Sequence, residues 1–229
     1  MSGVPNLLDR KIAWGTKNIA EGPAMTRLEA IRSIETGIEI ADEKAKEGYR
    51  VFTIGEMGIS NTTSSACILG AFNHWNAIEV TGRGTNISDE RLRHKIDVVQ
   101  RAMDVNHPDP NDGLDVLSKV GGFEYGCMTG VILGAAANHA LTIIDGFNTT
   151  ASAFIAKALC PEVVHYLMAS HLSLEQAHKK SLAALGLTEY IDLDFRLGEA
   201  IGAGIQTRML DYALSVYREC AAKEEEVKA

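Results

Sequence analysis

The chain has 229 residues, 46% of them apolar, with 22 Lys and Arg against 30 Asp and Glu for a formal charge of −8. That is enough apolar chain for one sizeable core and too much for intrinsic disorder. The acidic balance, without a basic block, argues against nucleic acid or an anionic membrane as the main partner, because phosphate backbones are gripped by clustered Lys and Arg. A local anion pocket stays open.

A charged helix comes first. Thr26 is its N-cap, Glu29 completes a T-x-x-E capping box, Ile31, Ile34, Ile38, Ala41 and Ala45 form an apolar stripe, and Gly48 stops it. Val51-Phe52-Thr53-Ile54 then reads as a short buried strand running into the loop Gly55 to Ser65 and an apolar helix ending near Phe72. The same order of strand, polar turn and helix recurs at Ile78-Glu79-Val80, followed by Thr81-Gly82-Arg83-Gly84-Thr85 and a helix capped by Ser88 that carries Leu92, Ile96, Val99 and Met103. Leu114 to Val120 and Phe123 to Ala137 read as helices, the second rich in small residues that permit close packing. Leu141 to Ile144 is a third strand, entering Asp145-Gly146-Phe147-Asn148-Thr149-Thr150. Val163 to Ala169 is a fourth, followed by Ser170-His171-Leu172-Ser173, with Ser173 and Gln176 as a capping box. Leu210 to Ala229 is a final helix with Tyr212, Leu214 and Tyr217 apolar, and its charged end Lys223-Glu224-Glu225-Glu226 reads as a solvated, frayed terminus.

Four repeats of strand then helix predict an α/β fold: a mostly parallel, Rossmann-like sheet flanked by helices, because parallel neighbours need crossover connections. No low-complexity linker interrupts the chain, so no second complete domain is expected. The loops after the strands hold nearly all the Gly, Ser, Thr and Asn clusters, and there the ligand crevice is expected. Cys67, Cys127, Cys160 and Cys220 make no C-x-x-C pair, and the seven histidines include no H-E-x-x-H, so no metal and no disulfide framework is expected. The longest apolar stretch, Gly130 to Ala137, is far short of the ~20 residues of a bilayer span. Met1 to Pro5 shows no secretory signal, and the chain reads as cytoplasmic.

Three segments could carry chemistry. In Gly55 to Ser65, glycines let backbone N–H groups approach a ligand and hydroxyl-rich residues stand at a helix N-terminus, which suits a phosphate; an ordinary capped turn is equally compatible. Neither a P-loop nor G-x-G-x-x-G occurs, so ATP and NAD lose support. Gly82-Arg83-Gly84-Thr85 and Lys95 offer cations to the same anion, although Lys95 also suits a solvated helix face. Glu199 stands amid glycine and apolar residues, where desolvation would suit it to general-base work, or where it could simply cap a helix or join a salt bridge. Glu56 and Glu124, each beside glycine, share that ambiguity.

Taken together, Gly55 to Ser65, Gly82-Arg83-Gly84-Thr85, Gly121-Gly122-Phe123-Glu124, Asp145-Gly146-Phe147, Ala169-Ser170-His171 and Arg196-Leu197-Gly198-Glu199 resemble the nicotinate-nucleotide:dimethylbenzimidazole phosphoribosyltransferase family. Gly15-Thr16 and Gly22-Pro23-Ala24-Met25-Thr26 extend the likeness over nearly the whole chain. The resemblance implies transfer of phosphoribosyl from nicotinate mononucleotide to 5,6-dimethylbenzimidazole or a similar aromatic base, giving α-ribazole phosphate and nicotinate in cobalamin lower-ligand synthesis, without a cofactor. It implies Glu199 as catalytic base and Glu56 facing ribose and phosphate. It assigns Gly58, Asn61, Thr62, Gly82 and Lys95 to the nucleotide, and Ser170, Leu197 and Gly198 to the nicotinate ring. It also implies a homodimer, and a division into an α/β nucleotide-binding core at residues 1–206 and, at 207–229, the C-terminal helix of an incomplete small helical domain. The family's leading segment, with several base-pocket residues, has no counterpart before Leu7, and Ser60 stands where the family usually has glycine. The expectation is therefore an enzyme completed by oligomerisation or by a subunit supplying that segment, or else a non-catalytic nucleotide-binding homologue, or a variant with a phenolic acceptor.

Overall fold

The computed structural model describes residues 7–227, with the side chains of 221–227 outside the description. The Met1 to Pro5 reading falls outside the described residues, as do the side chains of the Lys223 to Glu226 run. In chain order the elements are α1 (Arg27–Lys46), β1 (Val51–Ile54), α2 (Thr62–Asn73), α3 (Ala77–Val80), α4 (Asp89–Asn106), α5 (Gly113–Val120), α6 (Phe123–Ala137), β2 (Leu141–Ile144), α7 (Phe147–Leu159), a 3-10 turn at Pro161–Tyr166, β3 (Leu167–Ala169), β4 (His171–Ser173), α8 (His178–Leu185), β5 (Ile191–Phe195) and α9 (Ile201–Val227).

The expected α/β fold is present. β1, β2 and β3 form a parallel sheet in that order, β2 in the centre, and helices cross over between the strands. β4 and β5 form a second, two-stranded parallel sheet. Ser170 couples the two: its N–H donates to the Ile144 carbonyl and its own carbonyl accepts from Tyr190 and Ile191.

The helix α1 starts as the sequence predicts, with Thr26 and Glu29 in a reciprocal capping box. Its buried face is smaller than the predicted isoleucine stripe, with Ser33, Gly37 and Ala41 turned to Gly126, Gly130 and Gly134 of α6. A Cβ on Gly130 would overlap the Ile34 carbonyl, and one on Gly37 the Cys127 carbonyl, so the two backbones are in direct contact. Around them a core of Ile68, Leu69, Leu117, Ile132 and Ile155 is fully buried.

Four boundaries differ from expectation. Ile78 to Val80 is a helical turn, not a strand, because Asn76 and Glu79 form a capping box across it. Val163 to Ala169 is a strand only from Leu167, since Pro161 opens a 3-10 turn first. Ser173 ends β4 rather than capping a helix: its N–H donates to His178 Nδ1, and Gln176 Nε2 bonds the Ile78 and Glu79 carbonyls instead. Fully buried His178 therefore carries its proton on Nε2, against Thr150 Oγ1, and burial depresses its pKa to about 3. The last helix begins at Ile201, well before Leu210. Among the described residues, no helix is long and apolar enough to cross a membrane.

The bare contact between α1 and α6 sets the first prediction. Gly130→Ala is expected to cost roughly 1–3 kcal/mol by overpacking and to lower the thermal midpoint by several degrees; an unchanged melting curve would contradict it.

Candidate active site

β1 ends at Ile54 and releases the loop Gly55 to Asn61. Asn61 stands at the N-cap of α2, but its side chain does not cap the helix; it turns back and donates to Glu56 Oε2 and to Glu124 Oε1. Asn148, in the first turn of α7, donates to Glu56 Oε1 at 2.7 Å and to Asn61 Oδ1 at 3.1 Å. The Gly58 N–H donates to Glu56 Oε2 at 2.8 Å. The Glu56 carboxylate thus accepts from one backbone and two amide donors, which fixes its position and satisfies its charge. Behind it, Ser65 Oγ donates to Asn148 Oδ1 at 2.7 Å, and the buried Tyr125 hydroxyl donates to the Asn61 carbonyl at 2.7 Å.

The segment between β5 and α9 closes over this carboxylate. The Glu199 N–H donates to the Glu56 carbonyl at 3.2 Å. Gly55 has no side chain because the backbone of Ala200 lies where its Cβ would be. Gly198, Glu199 and Ala200 follow one another at φ +73°, +58° and +59°, all left-handed. Leu197 and Glu199 are exposed, so Glu199 is not the desolvated carboxylate that its apolar sequence neighbours suggested. At the end of β2, Asp145 Oδ1 accepts from the Ala203 N–H at 3.1 Å and so ties down the start of α9. Ser170 is buried, with its hydroxyl donating to the Asp145 carbonyl at 2.7 Å.

A half-buried cation is bonded to a residue adjacent in sequence to this network. Lys95 Nζ donates to Thr62 Oγ1 at 2.7 Å and to the Gly82 carbonyl at 3.1 Å. Thr62 follows Asn61, so the lysine stands one residue from the Glu56 network. Arg196 Nη2 donates to Asn86 Oδ1 at 3.3 Å, joining the loop after Gly82 to the segment that carries Glu199. Glu56, Gly58 and Asn61 are thus joined by direct hydrogen bonds, Thr62 adjoins them in sequence and carries Lys95 and through it Gly82, and Glu199 is joined to Glu56 through the backbone.

A family model described as Phosphoribosyltransferase matches residues 2–227. A curated relative from Syntrophotalea carbinolica, named nicotinate-nucleotide–dimethylbenzimidazole phosphoribosyltransferase, is 50% identical over 96% of this chain and 62% of its own length. One of the same name from Clostridioides difficile is 46% identical over 96% of this chain and 63% of its own. The crystal structure of CobT from Thermus thermophilus superposes with a TM-score of 0.88 at 39% identity, covering 93% of this chain and 64% of that one. The chain belongs to the nicotinate-nucleotide–dimethylbenzimidazole phosphoribosyltransferase family. It spans about 62% of the length of these curated relatives.

In this phosphoribosyltransferase-family chain, sequence reasoning missed Asn148, Ser65, Tyr125 and Asp145. Asn148 and Asp145 lie inside a motif the sequence already marked, and a polar residue two or three positions into a helix after a strand was the available signal. Tyr125 gave none, because a buried aromatic reads as core.

Glu124 stands beside the network as its least comfortable member. Burial raises its pKa above the ordinary carboxylate value, and the charge on Glu56 adds to that, against the hydrogen bond from Asn61. The folded state therefore holds the Glu124 proton more tightly than the unfolded chain, and this residue's contribution to stability falls as pH rises from about 4.5 through its raised pKa. Glu124→Gln is expected to raise the thermal midpoint at pH 7 and to converge with the parent near pH 4. Parallel curves across that range would contradict the assignment.

Proposed function

We propose that the chain carries out phosphoribosyl transfer from nicotinate mononucleotide to 5,6-dimethylbenzimidazole or a similar aromatic base, yielding α-ribazole phosphate and nicotinate. One observation supports this reading: Glu199 is bonded backbone to backbone to Glu56, and Glu56 is held by Asn61, whose neighbour Thr62 accepts from Lys95. The relatives' names agree with it.

The two carboxylates divide the work. Glu56, held by three donors, is a fixed carboxylate, suited to a ribosyl carbon that becomes cationic as its bond to nicotinate stretches. The exposed Glu199 is free to take a proton. In the reaction, a ring nitrogen of the base attacks C1′ from the face opposite nicotinate, and the anomeric centre inverts from β to α. The C1′–nitrogen bond of nicotinate breaks with its electron pair staying on the pyridine ring, which departs neutral and needs no general acid. The base's N–H proton passes to Glu199. Lys95, Thr62 and backbone N–H groups of the Gly55 to Asn61 loop hold the phosphate. Leu197 and Gly198 would border the nicotinate ring.

In line with the family resemblance, a second copy completes the assembly. Ile201, Ile205, Met209 and Tyr212 are exposed at helical spacing on α9, an apolar stripe suited to such a contact. A monodisperse monomer by sedimentation at micromolar concentration would overturn the dimer.

Calorimetry with nicotinate mononucleotide is expected to give measurable binding. Glu199→Gln should lower kcat roughly 100-fold or more while leaving nucleotide affinity nearly intact. Absence of both heat and thermal shift would reject the nucleotide site, and an unchanged kcat would remove Glu199 from the mechanism.

A further inference from the structure

Close to Lys95 lies a carboxylate without a hydrogen bond among the described residues. Glu175, in the turn between β4 and α8, is 6% exposed, and neither of its oxygens has a donor among them. A buried ionised carboxylate without donors is costly unless an opposite charge stands near. Glu175 rests on Gly82: a Cβ there would overlap Glu175 Oε2. The carbonyl of the same glycine accepts from Lys95 Nζ. Gly82 is thus the spacer between a buried anion and a half-buried cation that form no direct ion pair.

Lys95 needs that anion. Its two acceptors, Thr62 Oγ1 and the Gly82 carbonyl, are neutral, and among the described residues its third N–H has no acceptor. Burial lowers the lysine's pKa, and the charge on Glu175 is the main influence raising it again. The other charged or titratable groups around it are otherwise engaged or too weakly acidic. From α2, the Cys67 thiol is pushed up to about 12. In the loop after Gly82, Arg83 is taken up by Asp89 and the Ile87 carbonyl. On α3, Glu79 bonds the Asn76 backbone and faces Lys180. On α4 itself, Arg91 is exposed.

We propose that Glu175 is a positioning residue for the transfer reaction: across Gly82 it is the buried counter-charge that keeps the Lys95 ammonium charged and fixed, with one N–H directed to the nucleotide phosphate. The purpose of that charge rests on the phosphate role proposed above for Lys95; the coupling of the two residues does not.

The test reads Lys95 directly. In the ligand-free chain, carbon-13 labelled lysine gives a side-chain titration, assigned to Lys95 through Lys95→Arg. Glu175→Gln should move that titration to lower pH by roughly one unit or more. The alkaline limb of nicotinate mononucleotide binding should move with it, and it should stay in place when Glu175→Gln is made in the Lys95→Arg background. A folded Glu175→Gln protein with an unmoved lysine titration overturns the proposal. A titration that moves while binding does not supports the counter-charge and rejects instead the phosphate role of Lys95. If Glu175→Gln fails to fold, Glu175→Asp, which withdraws the charge by one methylene, replaces it: a smaller downward shift supports the proposal and no shift overturns it.

Discussion

Ile54, Ile144 and Ala169 are register partners across the three-stranded sheet, and each is the last residue of its strand. Parallel pairing thus delivers three strand ends to one level, and three residues of the candidate site start from there. Glu56 leaves the first strand, Asp145 the second and Ser170 the third. In an antiparallel sheet these residues would emerge at opposite ends, and no side chain is long enough to repair that. Their common level is therefore a product of strand direction before it is a product of any particular residue.

Given that level, short side chains finish the arrangement. Asn61 and Asn148 each use both amide hydrogens, so neither amide can be turned over without losing a bond to a carboxylate. They bring α2 and α7 to the same anion. Asp145 does the equivalent work for α9 through the Ala203 amide. Three helices are thereby aimed by buried or half-buried polar contacts, and α6, packed on α1 from Gly126 onward, adds Glu124 and Tyr125 from its first turn.

Much of this was legible from the residues alone. Strands β1 and β2 announced themselves because a short β-branched run ended in a glycine-bearing loop, and α4 because Ser88 and a clean apolar stripe agreed. The motifs that mark the site were visible as clusters of glycine and hydroxyl residues. What failed had a local cause. Three alternating residues at 78–80 resembled a strand, but an Asn-to-Glu cap outweighed them. The start of α9 was hidden by Gly202 and Gly204, which look like loop yet lie within the helix; a Cβ on Gly202 would overlap His171. Glu175 was invisible for a deeper reason, because a glutamate in a polar turn reads as solvated and only the third dimension buries it.

The backbone at Gly198, Glu199 and Ala200 has a consequence of its own. Two of these residues carry side chains in a left-handed conformation that costs roughly 1–2 kcal/mol each, and the segment is pinned to Gly55 and Glu56 by one backbone hydrogen bond and one close contact. Holding two L-residues in that region costs free energy that the rest of the fold must supply, so the placement of the Glu199 side chain depends on the contact of this segment with Gly55 and Glu56.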